Sequence, residues 1–269
     1  MKITHIVLFM SGFSLLSCDN APNFAELCEM HTEICHEFEQ DSWCKRERIA
    51  VGFANLEHLK TPLDPQKFEQ LIAYERYATC MEHASKIEHI KFKNKQVMRV
   101  NNLLKAREQI YVISKQTKRS LHPDLLYFHW SRYSNKRALA RFLLLENTLQ
   151  LETPKLQLNL ATYYVKRDKE KTRQLLYHSL ELSNDDAPID VEVFKSISTL
   201  FADKKDVENA YVWSKILNLY ASDDKAVTEQ SLENYVKAYH LNSDILDEKA
   251  EDTLDSILKG QFKAPQPKR

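Results

Sequence analysis

The chain has 269 residues, 43% of them hydrophobic and 28% charged, with 38 Lys and Arg balanced by 38 Asp and Glu. That composition suits a folded body with one large or two small cores. It leaves no basic excess to neutralise phosphates, so no nucleic acid partner is expected. Only Gly12, Gly52 and Gly260 are glycines, too few for barrels, sandwiches or phosphate-cradling loops, which need positive φ or close backbone approach.

The first element is a processing segment over 1–17. Lys2 supplies a positive start, and Ile3, Ile6, Val7, Leu8, Phe9, Met10, Phe13, Leu15 and Leu16 supply an apolar stretch. The stretch is too short to span a bilayer, which takes ~20 apolar residues, so it reads as a signal peptide. Leu15-Leu16-Ser17-Cys18 resembles the bacterial lipoprotein signal, which implies cleavage before Cys18 and acylation of that residue. Asp19-Asn20 resembles the signal that keeps such proteins in the inner membrane. Residues 18–22 would then be a short lipidated tether. The expected address is the periplasmic side of the envelope, at the inner membrane rather than the outer.

A cysteine-containing helical region is expected over 23–119. Phe24, Leu27, Cys28, His31, Ile34, Cys35 and Phe38 recur at helical spacing, and Asn23 with Glu26 fits a capping box. On one continuous helix Cys28 and Cys35 would stand about 10 Å apart, too far for a disulfide. The pairing expected is therefore Cys35–Cys44 with Cys28–Cys80, or the swapped Cys28–Cys44 with Cys35–Cys80. A rival reading takes Cys28, His31, Cys80 and His83 as a tetrahedral metal set, and a third leaves the thiols free or redox-active. No C-x-x-C occurs, so a thioredoxin-like centre lacks its motif.

Asp41 is expected to cap the next helix, which carries Trp43, Phe53, Leu56 and Leu59. Asp64-Pro65 should open a third, with Phe68, Leu71, Ile72, Ala78 and Met81 on its stripe. A fourth would present Val97, Val100, Leu103, Leu104, Tyr111 and Ile113. Charge is segregated here. Residues 24–41 hold Glu26, Glu29, Glu33, Glu37, Glu39 and Asp41 without a Lys or Arg, whereas 86–119 hold ten Lys and Arg against Glu88 and Glu108. Residues 223–255 are acidic again, with Asp244, Asp247, Glu248, Glu251, Asp252 and Asp255. Solvated faces of alternating sign account for this; the basic helix could equally face anionic lipid or an acidic partner.

Beyond 120 the pattern becomes short helices at repeating intervals, with capping helices up to 262 and a disordered tail over 263–269. Trp130 and Tyr133 precede the turn Ser134-Asn135-Lys136 and then Ala138. Tyr164 precedes Lys166-Arg167-Asp168-Lys169 and Thr172, and Phe201 precedes Asp203-Lys204-Lys205-Asp206 and Ala210. These arrangements resemble tetratricopeptide and Sel1-like repeats, with Leu160-Ala161 and Ile197-Ser198 in place of the usual Leu-Gly and Ser214 where a large apolar residue is expected. The fold class expected is all-α: a right-handed α-solenoid of such hairpins preceded by a disulfide-linked helical N-terminal region. An irregular helical bundle is the alternative. Helices at 228–241 and 244–259 should close the array, stopped by Gly260.

Four stretches carry a whole-chain resemblance. They are Cys28 and Cys35 with Asp41-Ser42-Trp43-Cys44, Ile87-Glu88-His89-Ile90-Lys91, Tyr127-Phe128-His129-Trp130-Ser131-Arg132, and Leu151-Glu152-Thr153-Pro154-Lys155-Leu156-Gln157-Leu158 through Tyr163-Tyr164-Val165-Lys166-Arg167-Asp168. Together they resemble a little-characterised family of gammaproteobacterial lipoproteins known as a domain of unknown function. The resemblance implies the envelope address and the helical fold, and it transfers no catalytic residue.

No catalytic motif stands out. His31-Thr32-Glu33-Ile34-Cys35-His36 lacks the His-Glu-x-x-His spacing, and neither a G-x-S-x-G elbow nor a P-loop occurs. The expectation is a membrane-anchored adaptor, without a cofactor and not an enzyme, that binds an envelope protein or peptide. Tyr127, His129, Trp130 and Tyr133 are the candidate contacts. A cell-wall peptidoglycan enzyme or its regulator and a metal-binding or redox accessory protein are the alternatives.

Overall fold

The computed structural model describes residues 23–88, 93–184 and 187–265. The signal peptide, Cys18, Asp19, Asn20 and the tether lie outside them. Among the described residues the protein is all-helical, with thirteen α-helices, one short 3-10 turn and no strand. None of the helices is long and apolar enough to cross a membrane. The chain divides into two compact units, Met1–Lys115 and Gln116–Arg269.

In the N-terminal unit, α1 (Phe24–Met30) opens on the expected capping box. Asn23 Oδ1 accepts from the Glu26 amide at 3.1 Å, and Glu26 Oε2 accepts from the Asn23 amide at 3.0 Å. The helix does not continue through the apolar stripe. His31 takes φ −135° and ψ 70°, and a separate turn, α2 (Thr32–Cys35), follows it. That break brings the Cα atoms of Cys28 and Cys35 to 5.3 Å, and the two form a disulfide. Cys44 and Cys80 form the second, with Cα atoms 6.0 Å apart. Both expected pairings, Cys35–Cys44 with Cys28–Cys80 and the swapped set, are therefore wrong, because both assumed an unbroken helix.

The second bridge ties α3 (Lys45–Lys60) to α4 (Asp64–Ser85). Asp41 does not cap α3, whose first turn starts at Cys44. Leu63, not Asp64, is the N-cap of α4, with Pro65 in its first turn. A Cβ on Gly52 would lie 2.7 Å from the Phe24 ring, so a residue without a side chain lets α1 rest on α3.

The last helix of this unit, α5 (Lys93–Thr117), buries Leu103 and Ile113 of the expected stripe but not the other four. Its buried residues are Arg99, Asn102, Leu103, Ala106, Ile113, Ser114 and Thr117, whereas Val97, Val100, Leu104 and Tyr111 are exposed. The inward side is polar because it grips the acidic loop before α3. Arg99 pairs with Asp41 and donates to the Ala84 carbonyl at 2.8 Å. Asn102 closes two hydrogen bonds with the Glu39 backbone, at 2.9 and 3.1 Å.

The C-terminal unit contains three successive helix pairs: α6 (Pro123–Tyr133) with α7 (Lys136–Leu144), α8 (Pro154–Tyr164) with α9 (Lys169–Glu181), and α10 (Glu192–Asp203) with α11 (Val207–Tyr220). Each second helix is capped by an Asx side chain. Asn135 accepts from the Ala138 amide, Asp168 from that of Lys171 and Asp206 from that of Asn209. The small residues Ala138, Thr172 and Ala210, one turn in, are all buried, which allows the paired backbones to approach. Ser214 replaces bulk with a hydroxyl pairing: its Oγ lies 2.8 Å from Ser198 Oγ.

Two more helices, α12 (Glu229–Tyr239) and α13 (Ser243–Leu258), pack on α11. Lys215 on α11 reaches Glu229 at 3.2 Å and Asp247 at 3.1 Å. After Gly260, at φ +64°, the chain folds back. Phe262 is buried against Tyr177 and Trp213, and the Ala264 amide donates to Glu181 at 2.8 Å. The expectation of a disordered tail from 263 is thus corrected for 263–265, while 266–269 lie outside the described residues.

Candidate functional site

The surface richest in recognition chemistry is an aromatic ridge on α6 and α8. Three residues apart on α6, Tyr127 and Trp130 fall on one face, and their rings meet edge-on at 5.6 Å. Opposite them α8 places Tyr163, 5.7 Å from Trp130 and also edge-on. The Tyr127 hydroxyl lies 3.1 Å from Thr162 Oγ1, which pins the two helices together at the base of the ridge. Leu125, Leu126, Phe128, Leu156, Leu158, Leu160 and Ala161 on the inward faces are buried, so the core fixes which sides of α6 and α8 face outward.

Beyond Tyr163 the exposed Arg167 closes the ridge. Its guanidinium sits 4.2 Å from the centroid of the Tyr163 ring and donates to the Tyr163 carbonyl at 2.6 Å. Tyr164 beside it makes other contacts: its hydroxyl donates to Glu146 at 2.7 Å, and Lys171, paired with the same carboxylate, lies over its ring. Burial and the Glu146 carboxylate both push the Tyr164 phenol up, so it stays a donor at any physiological pH. Partly buried Tyr127, Trp130 and Tyr163 with a stacked Arg match the residue types that dominate binding hot spots.

Of the four candidate contacts, Tyr127 and Trp130 lie on the ridge. His129 does not: it is 4% exposed, its ring lies 3.1 Å from Thr117 Oγ1, and burial pushes its pKa down. Tyr133 is exposed and packs on Phe128 and His129. Tyr163 and Arg167 were missed. Tyr163 precedes the repeat aromatic Tyr164, which drew the repeat reading to itself, and the i, i+4 spacing of Tyr163 and Arg167 was the available signal.

The metal set Cys28, His31, Cys80 and His83 is overturned by the disulfides. Cys28 and Cys80 belong to different bridges, so neither supplies a thiolate. Cys44, Glu47 and Cys80 do cluster, but the two sulfurs there are bonded to each other. Glu37 is the carboxyl with a clearly raised pKa among the described residues. Burial raises it against hydrogen bonds from Tyr74 and Asn55, and that network links α3, α4 and the loop before α3.

No characterised protein and no solved structure matches the chain. One family model does, over residues 15–215, and its description is "Protein of unknown function (DUF2989)". With that span covering most of the sequence, the chain belongs to the DUF2989 family.

Proposed function

We propose that this protein is a lipid-anchored adaptor of the bacterial cell envelope. In this reading Cys18 carries the lipid, Asp19 and Asn20 hold the protein at the periplasmic face of the inner membrane, and the C-terminal unit presents a docking surface. The three helix pairs are read as tetratricopeptide- or Sel1-like hairpins of a right-handed solenoid. The shared Asx caps and the buried small residues at equivalent positions support that reading. The partner is a protein or peptide of the envelope, no cofactor is needed, and no residue is assigned a catalytic role.

The observation that carries the proposal is the ridge of Tyr127, Trp130 and Tyr163, left partly exposed and closed by Arg167. An aromatic surface of this kind gives a partner large contact area at small entropic cost. Crosslinking in intact cells followed by mass spectrometry tests it. The wild-type chain should capture one envelope protein reproducibly, and Trp130→Ala should lose that capture while remaining folded. Activity of the purified protein on cell wall, with no partner captured, would contradict the reading and favour the enzyme alternative.

A further inference from the structure

The outward side of α5 carries an apolar stripe that nothing in the N-terminal unit covers. Val97, Val100, Leu104 and Tyr111 are 60, 39, 57 and 59% exposed. At 3.6 residues per turn they fall within about 60° of one another on the helix. The buried Arg99, Asn102, Ala106 and Ile113 lie on the opposite side. Helix positions 107 and 115, flanking the stripe, are Arg and Lys, with Glu108 the one acid of the helix there; Arg107 is paired with Glu82 at 2.9 Å, and Lys115 carries the flanking charge. The Lys115 ammonium stands 5.1 Å from the Tyr111 ring centroid, so its methylenes can extend the apolar stripe while the charge stays at the edge.

We propose that this stripe rests on the anionic lipid surface to which the protein is anchored. The inference rests on the lipid-anchor reading of Cys18 and goes beyond it by naming the face that meets the headgroups. Five residues from Cys18 to Asn23 reach at most ~18 Å, so the unit carrying α5 is held next to the bilayer. An anchored body needs only a weak second contact, because the anchor supplies the effective concentration. Aliphatic residues, a tyrosine and flanking bases are what such a contact uses. A second copy fits less well. Paired stripes would bury roughly 800 Å², below the 1,200–2,000 Å² of stable interfaces. Such pairing would also bring the basic edges of the two helices together.

The test uses the acylated full-length chain in vesicles of phosphatidylethanolamine and brominated phosphatidylglycerol. Tyr111→Trp places a reporter on the stripe, and the signal of the native tryptophans is subtracted using the wild-type chain. The proposal expects the reporter to be quenched about two-fold, as for an indole at headgroup depth, and expects Leu104→Glu to remove that quenching. A vesicle-bound chain whose reporter stays unquenched overturns the proposal, and chains that crosslink in pairs through the stripe install a second copy in place of lipid. A chain that does not float with the vesicles overturns the anchor reading itself, a failure separable from the other two.

Discussion

The C-terminal unit is held by apolar burial. Leu176, Leu180, Phe194, Ile197, Ile216, Ala250 and Ile257 form one continuous core, with Trp213 stacked on Phe194. The N-terminal unit also buries apolar residues, among them Phe38, Val51, Leu71, Tyr77 and Met81 besides the cluster of Leu27, Cys35 and Leu56, but it adds two disulfides and a buried Asp41–Arg99 pair. The contrast shows two ways to hold helices together. Packing is the main tie where small residues let paired helices approach, and covalent and ionic ties are added to it where a helix is broken and one inward face is polar.

Reduction should separate the two regions most. Loop closure across sequence separations of 7 and 36 residues is worth about 2 and about 4 kcal/mol. Mild reductant followed by limited proteolysis should release peptides from 23–88 while 123–258 stays protected. Equal cleavage of both regions would break the comparison. Next comes the ion pair. Arg99→Ala strands a buried carboxylate and should cost the N-terminal unit ~3–5 kcal/mol, read as a lowered urea midpoint. Arg99 holds the Asp41 carboxyl below its ordinary range. The stability from that shift is therefore present above pH ~4 and lost as pH falls through the depressed value.

In the C-terminal unit the expected effects are smaller. Asp168→Ala removes the side-chain cap from the Lys171 amide and should cost ~0.5–2 kcal/mol, measurable by thermal melting. The smallest effect concerns the clasp that holds the chain end. Burial opposes charge on His178, but Glu152 at 2.7 Å and Glu181 at 3.2 Å outweigh it and raise its pKa. Glu181 also accepts from the Ala264 amide. The stabilising contribution of the His178 charge is complete below pH ~6.5 and disappears as pH rises through the elevated value. With the base-catalysed intrinsic rate divided out, the protection of the Ala264 amide from hydrogen exchange should accordingly be greater at pH 6 than at pH 8, and His178→Asn should erase that difference.

These contrasts also explain what the sequence made legible. The turns of the helix pairs were readable because Asn135, Asp168 and Asp206 do local chemistry: each caps the helix it precedes. The disulfides were misread because nothing in the residues around His31 announces a break; tertiary packing and the bridge decide it. On α5 only Leu103 and Ile113 of the expected stripe are buried, and Val97, Val100, Leu104 and Tyr111 face outward, since Arg99 and Asn102 are needed inward to hold the loop around Asp41. Tyr127 and Trp130 were visible as an aromatic cluster, whereas joining Tyr163 and Arg167 to it required the packing of α8 on α6.

The most direct test of the adaptor account compares capture in intact cells by Trp130→Ala, Tyr163→Ala and Tyr133→Ala, each checked for folding by thermal melting. The account predicts that the first two lose the partner, with ~2 kcal/mol or more at a hot-spot aromatic, while Tyr133→Ala, whose ring packs on Phe128 and His129, retains it. Equal capture by all three would contradict the claim that the ridge is the docking surface.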